Sequence, residues 1–247
     1  MPPSKDLFSG HSADYSRFRP TYPETLFEWC AEQSPARNAA WDCATGNGQA
    51  AVPLARRFGR VFATDLSEKQ LAEATRAPGV DYRVGTAEAS GLEPTSVDLV
   101  TAAQALHWFD HVRFAAEVRR VARPGALLAV WSYGLSATSP EVDRVMHEFY
   151  EMTGPFWEPE RQMVDDGYRG ISLPFTEVPA PALTLAADWS QAQLLGYVGT
   201  WSGLRTMRVK TGRDPIAELT PALARAWAGA PTRRVTWPLA LRAFRVS

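Results

Sequence analysis

The chain has 247 residues, and 26 Lys+Arg against 27 Asp+Glu leave a formal net charge of −1. Hydrophobic residues make up 45% and charged residues 21%, a globular composition that excludes disorder as the main state. A near-neutral chain has no overall pull on a phosphate backbone, so a dedicated nucleic-acid binder is disfavoured. Cys30 and Cys43 are too few for a disulfide framework or a four-cysteine zinc site, and read as reduced thiols of a cytoplasmic protein. No apolar run approaches the ~18 residues of a membrane span, and the N-terminus lacks a signal core.

Short apolar runs then alternate with helical stretches, as in an α/β protein with a parallel sheet. Strands are expected at Ala39–Cys43, Arg60–Thr64, Asp81–Val84, Val97–Ala102 and Ala126–Trp131. Helices are expected at Gln49–Phe58, Ser67–Arg76 and Val112–Val121, with Ser67 as an N-cap and Pro124–Gly125 as a breaker. Arg56, Arg57 and Arg60, like Arg119, Arg120 and Arg123, read as solvated helix faces. Five strands within about 130 residues, joined by right-handed crossovers, give a doubly wound sheet.

The second half is less regular. Pro140–Met152, Trp189–Trp201 and Pro215–Ala228 read as helices. Phe175–Leu185 reads as a strand despite Pro179 and Pro181, and Arg234–Val246 as a long final strand with Pro238 at a bulge or edge. No repeat or linker divides the chain. One domain is expected: a leader (1–35), a cofactor-binding core (36–133), and remaining strands with lid insertions (134–247).

The first strand ends in Asp42-Cys-Ala-Thr-Gly46-Asn-Gly48. Glycines here allow a tight turn and close approach of a ligand before a helix begins. Asp42 would crowd a diphosphate but attract a cationic ligand such as the α-ammonium of S-adenosylmethionine (SAM); its alternative role is to hold the turn. Asp65 ends the second strand 19 residues after Gly46, near the spacing at which an acid meets a ribose diol, with capping of the next helix as its alternative.

The segments WDCATGNGQAA, FATDLS, VGTAEASGLEPTSVDLVTAAQALHWFD and ALLAVWSY together resemble the class I SAM-dependent methyltransferases, and within them the small-molecule type 11 branch that includes trans-aconitate methyltransferase-like proteins. The resemblance implies a Rossmann-like fold: a mostly parallel seven-stranded sheet, helices on both faces, and a lid inserted in the C-terminal half. It implies that Asp42, Ala44, Gly46 and Gly48 line the methionine part of SAM. Asp65 would hold the ribose, Leu66 would lie beside the adenine, and Ala87 and Glu88 would lie at its edge. Gln104, His107 and Trp108 would face the methyl group, and Tyr15 and Arg19 would close the pocket from the leader. Ala44 stands where the family carries glycine, which is tolerable only at negative φ.

His107 and His111 are four apart but lack a third ligand, so no metal is expected. His107 is the candidate base for a phenol or amine acceptor; a carboxylate acceptor needs none. The Asp/Asn-Pro-Pro-aromatic run of base-amine methyltransferases is missing after the fourth strand, which reads Ala-Gln-Ala-Leu-His-Trp. Phe149, Tyr150, Phe156, Trp157, Tyr168, Trp189, Tyr197 and Trp201 supply both core and candidate acceptor-pocket walls. The expected function is methyl transfer from SAM to a small molecule by a monomer or homodimer, without nucleic acid or membrane. The alternatives are an NAD-dependent oxidoreductase on the same fold and a non-catalytic SAM-binding protein.

Overall fold

The computed structural model describes residues 18–247. Among these, eight strands build one sheet: β1 (Ala39–Cys43), β2 (Arg60–Asp65), β3 (Val80–Val84), β4 (Val97–Ala103), β5 (Ala122–Tyr133), β6 (Thr176–Val178), β7 (Leu183–Trp189) and β8 (Arg233–Arg245). The order is β3-β2-β1-β4-β5-β8-β6, with β7 also on β8. Strands β1 to β5 pair in parallel, while β8 runs antiparallel to β5, β6 and β7. The strand order reverses between β1 and β4, the switch point where ligands of doubly wound sheets bind.

The strand expected at 175–185 is two strands in line along the same edge of β8. Thr176–Val178 and Leu183–Trp189 flank the Pro179–Pro181 stretch, where missing N–H groups cannot continue a ladder. The seven expected strands therefore count as eight. Trp189 closes β7 instead of opening a helix, since Ser190 caps the following turn with its hydroxyl on Gln193 N–H.

Helices cover both faces. Along β5, Leu127, Ala129, Trp131 and Tyr133 enter one core, and Ala126, Leu128 and Val130 the other. This is the period-two alternation of a strand buried on both sides. The first core takes α1 (Glu24–Gln33), α2 (Ala51–Ala55), α5 (Pro140–Thr153), α7 (Gln191–Gly199), α8 (Ser202–Thr211) and α9 (Pro215–Trp227). The second takes α4 (His111–Val121) and α6 (Arg161–Asp165), while α3 (Glu68–Ala72) lies between β2 and β3.

Arg56, Arg60, Arg119 and Arg120 are exposed, as expected of solvated surface, whereas Arg57 and Arg123 are partly buried, and Arg60 and Arg123 stand on strands instead of helix faces. Arg57 is only 14% exposed at its side chain and pairs with Glu24 and Glu28 of α1; Arg60 pairs with Asp81, and Arg120 with Glu117. Helix α2 ends at Ala55, so the chain turns before Arg56 and Arg57 can continue its outer face. Nor does Pro124–Gly125 break a helix: α4 has already ended, and β5 passes through both residues with Gly125 at φ +77°.

Asp98 fastens the start of three central strands. Its buried carboxylate accepts N–H bonds from Asn38 and Ala39 (2.8 and 3.1 Å) and lies 2.9 Å from Arg123 Nη1. Removing it leaves two donors and a guanidinium uncompensated. Asp98→Ala is expected to cost about 3 kcal/mol, read as a lower urea midpoint with an unchanged slope.

Candidate active site

The carboxyl end of β1 runs into a turn with three left-handed residues in five: Ala44 (φ +53°), Gly46 (+57°) and Gly48 (+88°). The negative φ expected at Ala44 is not found. Its strained backbone is held by neighbouring bonds, Thr45 N–H to Thr64 C=O (2.9 Å) and Gly48 N–H to Thr45 C=O (3.0 Å). Gly48 answers a second demand, because a Cβ there would lie 2.1 Å from the Tyr82 hydroxyl.

Asp42 lies beneath this turn, fully buried. Its Oδ2 accepts the Thr45 hydroxyl (2.5 Å) and its Oδ1 the Thr101 hydroxyl of β4 (2.7 Å). Burial pushes its carboxyl up to about 6 against the pull of those two hydroxyls. The turn-holding role is thus visible directly, and any attraction for a cation acts through the loop.

Asp65 closes β2 at the rim. Its Oδ2 accepts Gly46 N–H and its Oδ1 accepts Ser67 N–H, both at 2.8 Å, so one carboxylate joins the glycine turn to the start of α3. Ser67 is the cap of that helix, accepting Gln70 N–H at 3.3 Å. Leu66 is 50% exposed beside it, an apolar surface at the mouth of the sheet. After β3, Ala87 is buried, and Glu88 accepts the N–H of Asp110 ahead of α4 (3.0 Å).

Beyond β4 the backbone is again left-handed at Gln104 (φ +55°). Gln104 donates its main-chain N–H to Trp131 C=O (2.8 Å) and its side-chain amide to Tyr133 C=O (3.0 Å), which ties the end of β4 to β5. A one-turn 3₁₀ helix, Leu106–Trp108, then carries His107 and Trp108. His111 Nε2 lies 3.0 Å from the Leu106 carbonyl, which can only accept, so that nitrogen is protonated.

Gln104, His107 and Trp108 line a cleft together with Arg19, Tyr133, Trp157, Arg161, Tyr197 and Trp201. The leader, the β4 exit and the second-half insertions therefore meet at one place. Arg19 sits 5.4 Å over the Tyr197 ring and 3.4 Å from the Tyr133 hydroxyl. Arg161 packs on Trp157 and Tyr150 and pairs with Asp165. Burial, with Arg161 and His111 adding to it, lowers His107 to about 3, so the imidazole is neutral near pH 7.

The sequence missed Tyr133 and Arg161 in this cleft, whereas Arg19, expected to close the pocket from the leader, is among its lining residues. Tyr133 had a signal, since it ends the fifth strand at the same sheet edge as Gln104. Among the aromatics singled out, Trp157, Tyr197 and Trp201 line the cleft, whereas Trp189 packs in the core on Trp237 and Tyr197. Tyr15 lies outside the described residues. No group of three metal-ligating side chains occurs among the described residues, nor any helix long and apolar enough to cross a membrane.

Sheet order, glycine turn and an acid at the second strand end are the arrangement of a doubly wound, nucleoside-binding fold. A family model described as a methyltransferase domain matches residues 41–130, from β1 into β5. A protein of Dictyostelium discoideum named as a methyltransferase is 35% identical over 230 residues, covering 90% of this chain and 86% of its own. A Schizosaccharomyces pombe protein, also named as a methyltransferase, is 32% identical over 220 residues, 86% of this chain and 85% of its own. A solved structure from Anaeromyxobacter dehalogenans, named as a type II methyltransferase, is 50% identical, with a TM-score of 0.86 over 93% of this chain and 98% of its own. The chain belongs to the class I SAM-dependent methyltransferases. The NAD-dependent alternative is not favoured, and the trans-aconitate branch is not singled out by these relatives.

Two outcomes follow from the geometry. Ala44→Gly relieves a left-handed alanine and should stabilise the fold by about 1 kcal/mol in chemical denaturation. His107 has a depressed folded pKa, so its contribution to stability is present above its unfolded value near 6.5 and is lost as pH falls toward 3. A His107→Gln variant should therefore lose less stability than wild type between pH 6.5 and pH 4, measured by denaturant titration at each pH.

Proposed function

We propose that this chain transfers the methyl group of SAM to a small-molecule acceptor held in the cleft beside Gln104, His107 and Trp108. One observation carries the reading. The three residues whose family positions face the methyl group are the same three that line a cleft walled by Trp157, Tyr197 and Trp201. Such an aromatic-walled cleft suits a small acceptor.

The residues fit the cofactor. Asp65, fixed at the rim by Gly46 and Ser67 N–H groups, takes the ribose hydroxyls. Leu66 offers its exposed side chain to one face of the adenine, with Ala87 and Glu88 at the ring edge. Ala44, Gly46 and Gly48 let the backbone approach the methionine part, and Asp42 below adds negative potential that favours the α-ammonium. Arg19 closes the other side and pairs with the methionine carboxylate.

SAM, when bound, supplies a methyl group that its sulfonium has already made electrophilic. The chain's work is alignment and exclusion of water. Gln104, fixed through both its main chain and side chain, sets the floor between the two ligands. His107 and Trp108, their rings tilted at 45° with centroids 4.6 Å apart, orient the acceptor. An imidazole lowered to about 3 is a weak base, so a nucleophile that enters already ionised suits the cleft best.

Calorimetry with SAM, S-adenosylhomocysteine and NAD tests the cofactor site. Both adenosyl ligands should bind and NAD should give no heat; Asp65→Ala should raise the SAM Kd about 10-fold or more. Binding of NAD alone would end the reading. His107→Ala should lose turnover, followed as S-adenosylhomocysteine release over a small-molecule acceptor panel, while keeping SAM affinity. A full-rate variant would remove His107 from the reaction, and cofactor binding without transfer to any acceptor would favour a non-catalytic role.

A further inference from the structure

We propose that Gly203 is a specificity-determining residue of the cleft: because it has no Cβ, the Trp157 indole seats against the backbone of α8, and this sets how large an acceptor the cleft admits. The consequence for the acceptor rests on the function proposed above; the seating of Trp157 does not.

Trp157, Trp201 and Ser202 all line the cleft. Gly203 follows the last two in the opening turn of α8 and is buried. A Cβ there would lie 2.8 Å from Trp157 Cδ2, 2.9 Å from Cε2 and 3.2 Å from Cγ. Cδ2 and Cε2 form the fusion bond, which has a ring on either side, so the approach is onto the flat face of the indole. Carbon atoms pack at about 3.5–4.0 Å, so any side chain at position 203 requires the ring to give way by about 1 Å. Glycine is a poor helix former, and helix propensity alone would favour alanine here. The contact with Trp157 is what asks for glycine.

The indole is held on its other sides. Its Nε1 donates to Thr153 Oγ1 (3.2 Å), and that hydroxyl, on a residue with no exposed surface, donates to Tyr150 C=O (2.9 Å) in the last turn of α5. The rings of Tyr150 and Trp201 lie against it with centroids 5.5 and 5.6 Å away, tilted by 47° and 48°. The Arg161 guanidinium of α6 lies 4.8 Å from its centroid. Helices α5, α6 and α8 thus fix one rigid ring together, and the side left to it is the cleft. A methyl group at position 203 would move the indole, and Arg161 packed on it, into the space proposed for the acceptor.

A double-mutant cycle in the full chain tests the seat. Gly203→Ala should lower the urea midpoint. The same change in a Trp157→Leu background should leave the midpoint unchanged or raise it, since alanine is the better helix former once the ring is gone. Gly199→Ala in α7, where a Cβ meets nothing, is the control. Should Gly203→Ala alone fail to fold, recovery of folding in the double variant is the same result. Specificity is read as S-adenosylhomocysteine release over the acceptor panel, with benzoate and naphthoate, and phenol and naphthol, as pairs graded by size. Gly203→Ala should lower kcat/KM about 10-fold more for the larger member of a pair, with the Kd for SAM unchanged. Trp157→Leu should shift the same ratio toward the larger member. Equal midpoint losses in both backgrounds, or acceptor ratios identical to wild type, overturn the proposal. If the coupling is found yet no acceptor is methylated, the functional reading fails and the seating of Trp157 stands.

Discussion

A carboxylate buried out of reach of solvent is the constraint on which the site rests. Asp42 sits at the switch point of the sheet, and its two oxygens are spent on Thr45 in the turn and Thr101 in β4. Those bonds fix the distance between the exits of β1 and β4, the two strands that flank the crevice. Asp65 extends the same chain of bonds to β2 through Gly46, and Gln104 extends it to β5 through Tyr133. Four strand ends are thereby locked by side chains, although the loops between them carry no regular secondary structure. Each bond limits where the next group can lie, which is how a hydrogen-bonded network gives a single geometry.

The same constraint explains the left-handed alanine. A residue with a Cβ at φ +53° is costly in isolation, yet Ala44 lies between a buried acid and a Thr45 N–H tied to β2. The network fixes the backbone and the side chain must accept it. Local preference at Ala44 therefore yields to a tertiary demand, and the glycine expected from the family pattern is dispensable as long as Asp42 and Thr64 keep their partners.

Much of the core was legible because its signals are local. Five parallel strands stand close to where short apolar runs place them, and Asp42, Asp65 and Gln104 stand at strand ends because chemistry-bearing residues directly follow those runs. The failures have physical reasons. Helices α1 and α8 were not foreseen: the first lay in a stretch read as a leader, and the second, SGLRTMRVKT, buries only Gly203, Leu204 and Met207 and so carries a weak apolar stripe. The edge of the sheet broke in two because two prolines remove ladder donors, a local signal whose consequence depends on which strand lies opposite. Arg57 looked solvated because its partners, Glu24 and Glu28, are about thirty residues away in sequence.

The side of the site proposed to take the acceptor was the least legible, and its construction shows why. Arg161, Tyr150, Asp165 and Trp157 form one cluster: the guanidinium lies over two aromatic rings, and its Nε lies 2.9 Å from the Tyr150 hydroxyl and 3.1 Å from Asp165. Arg161 and Asp165 are four apart on α6, but no spacing joins Tyr150 and Trp157 to that pair, because the 3₁₀ turn 154–156 and the short helix α6 bring them together. A guanidinium held on aromatic faces and ion-paired is already oriented before any ligand arrives, so little ordering is left for binding to supply. His107 faces this cluster as a neutral ring, because burial and the nearby Arg161 charge both oppose its protonation. The positive charge that orients the cleft and the neutrality of the imidazole thus have a common source. Any substitution that removed Arg161 would change both the field in the cleft and the basicity of the histidine beside it.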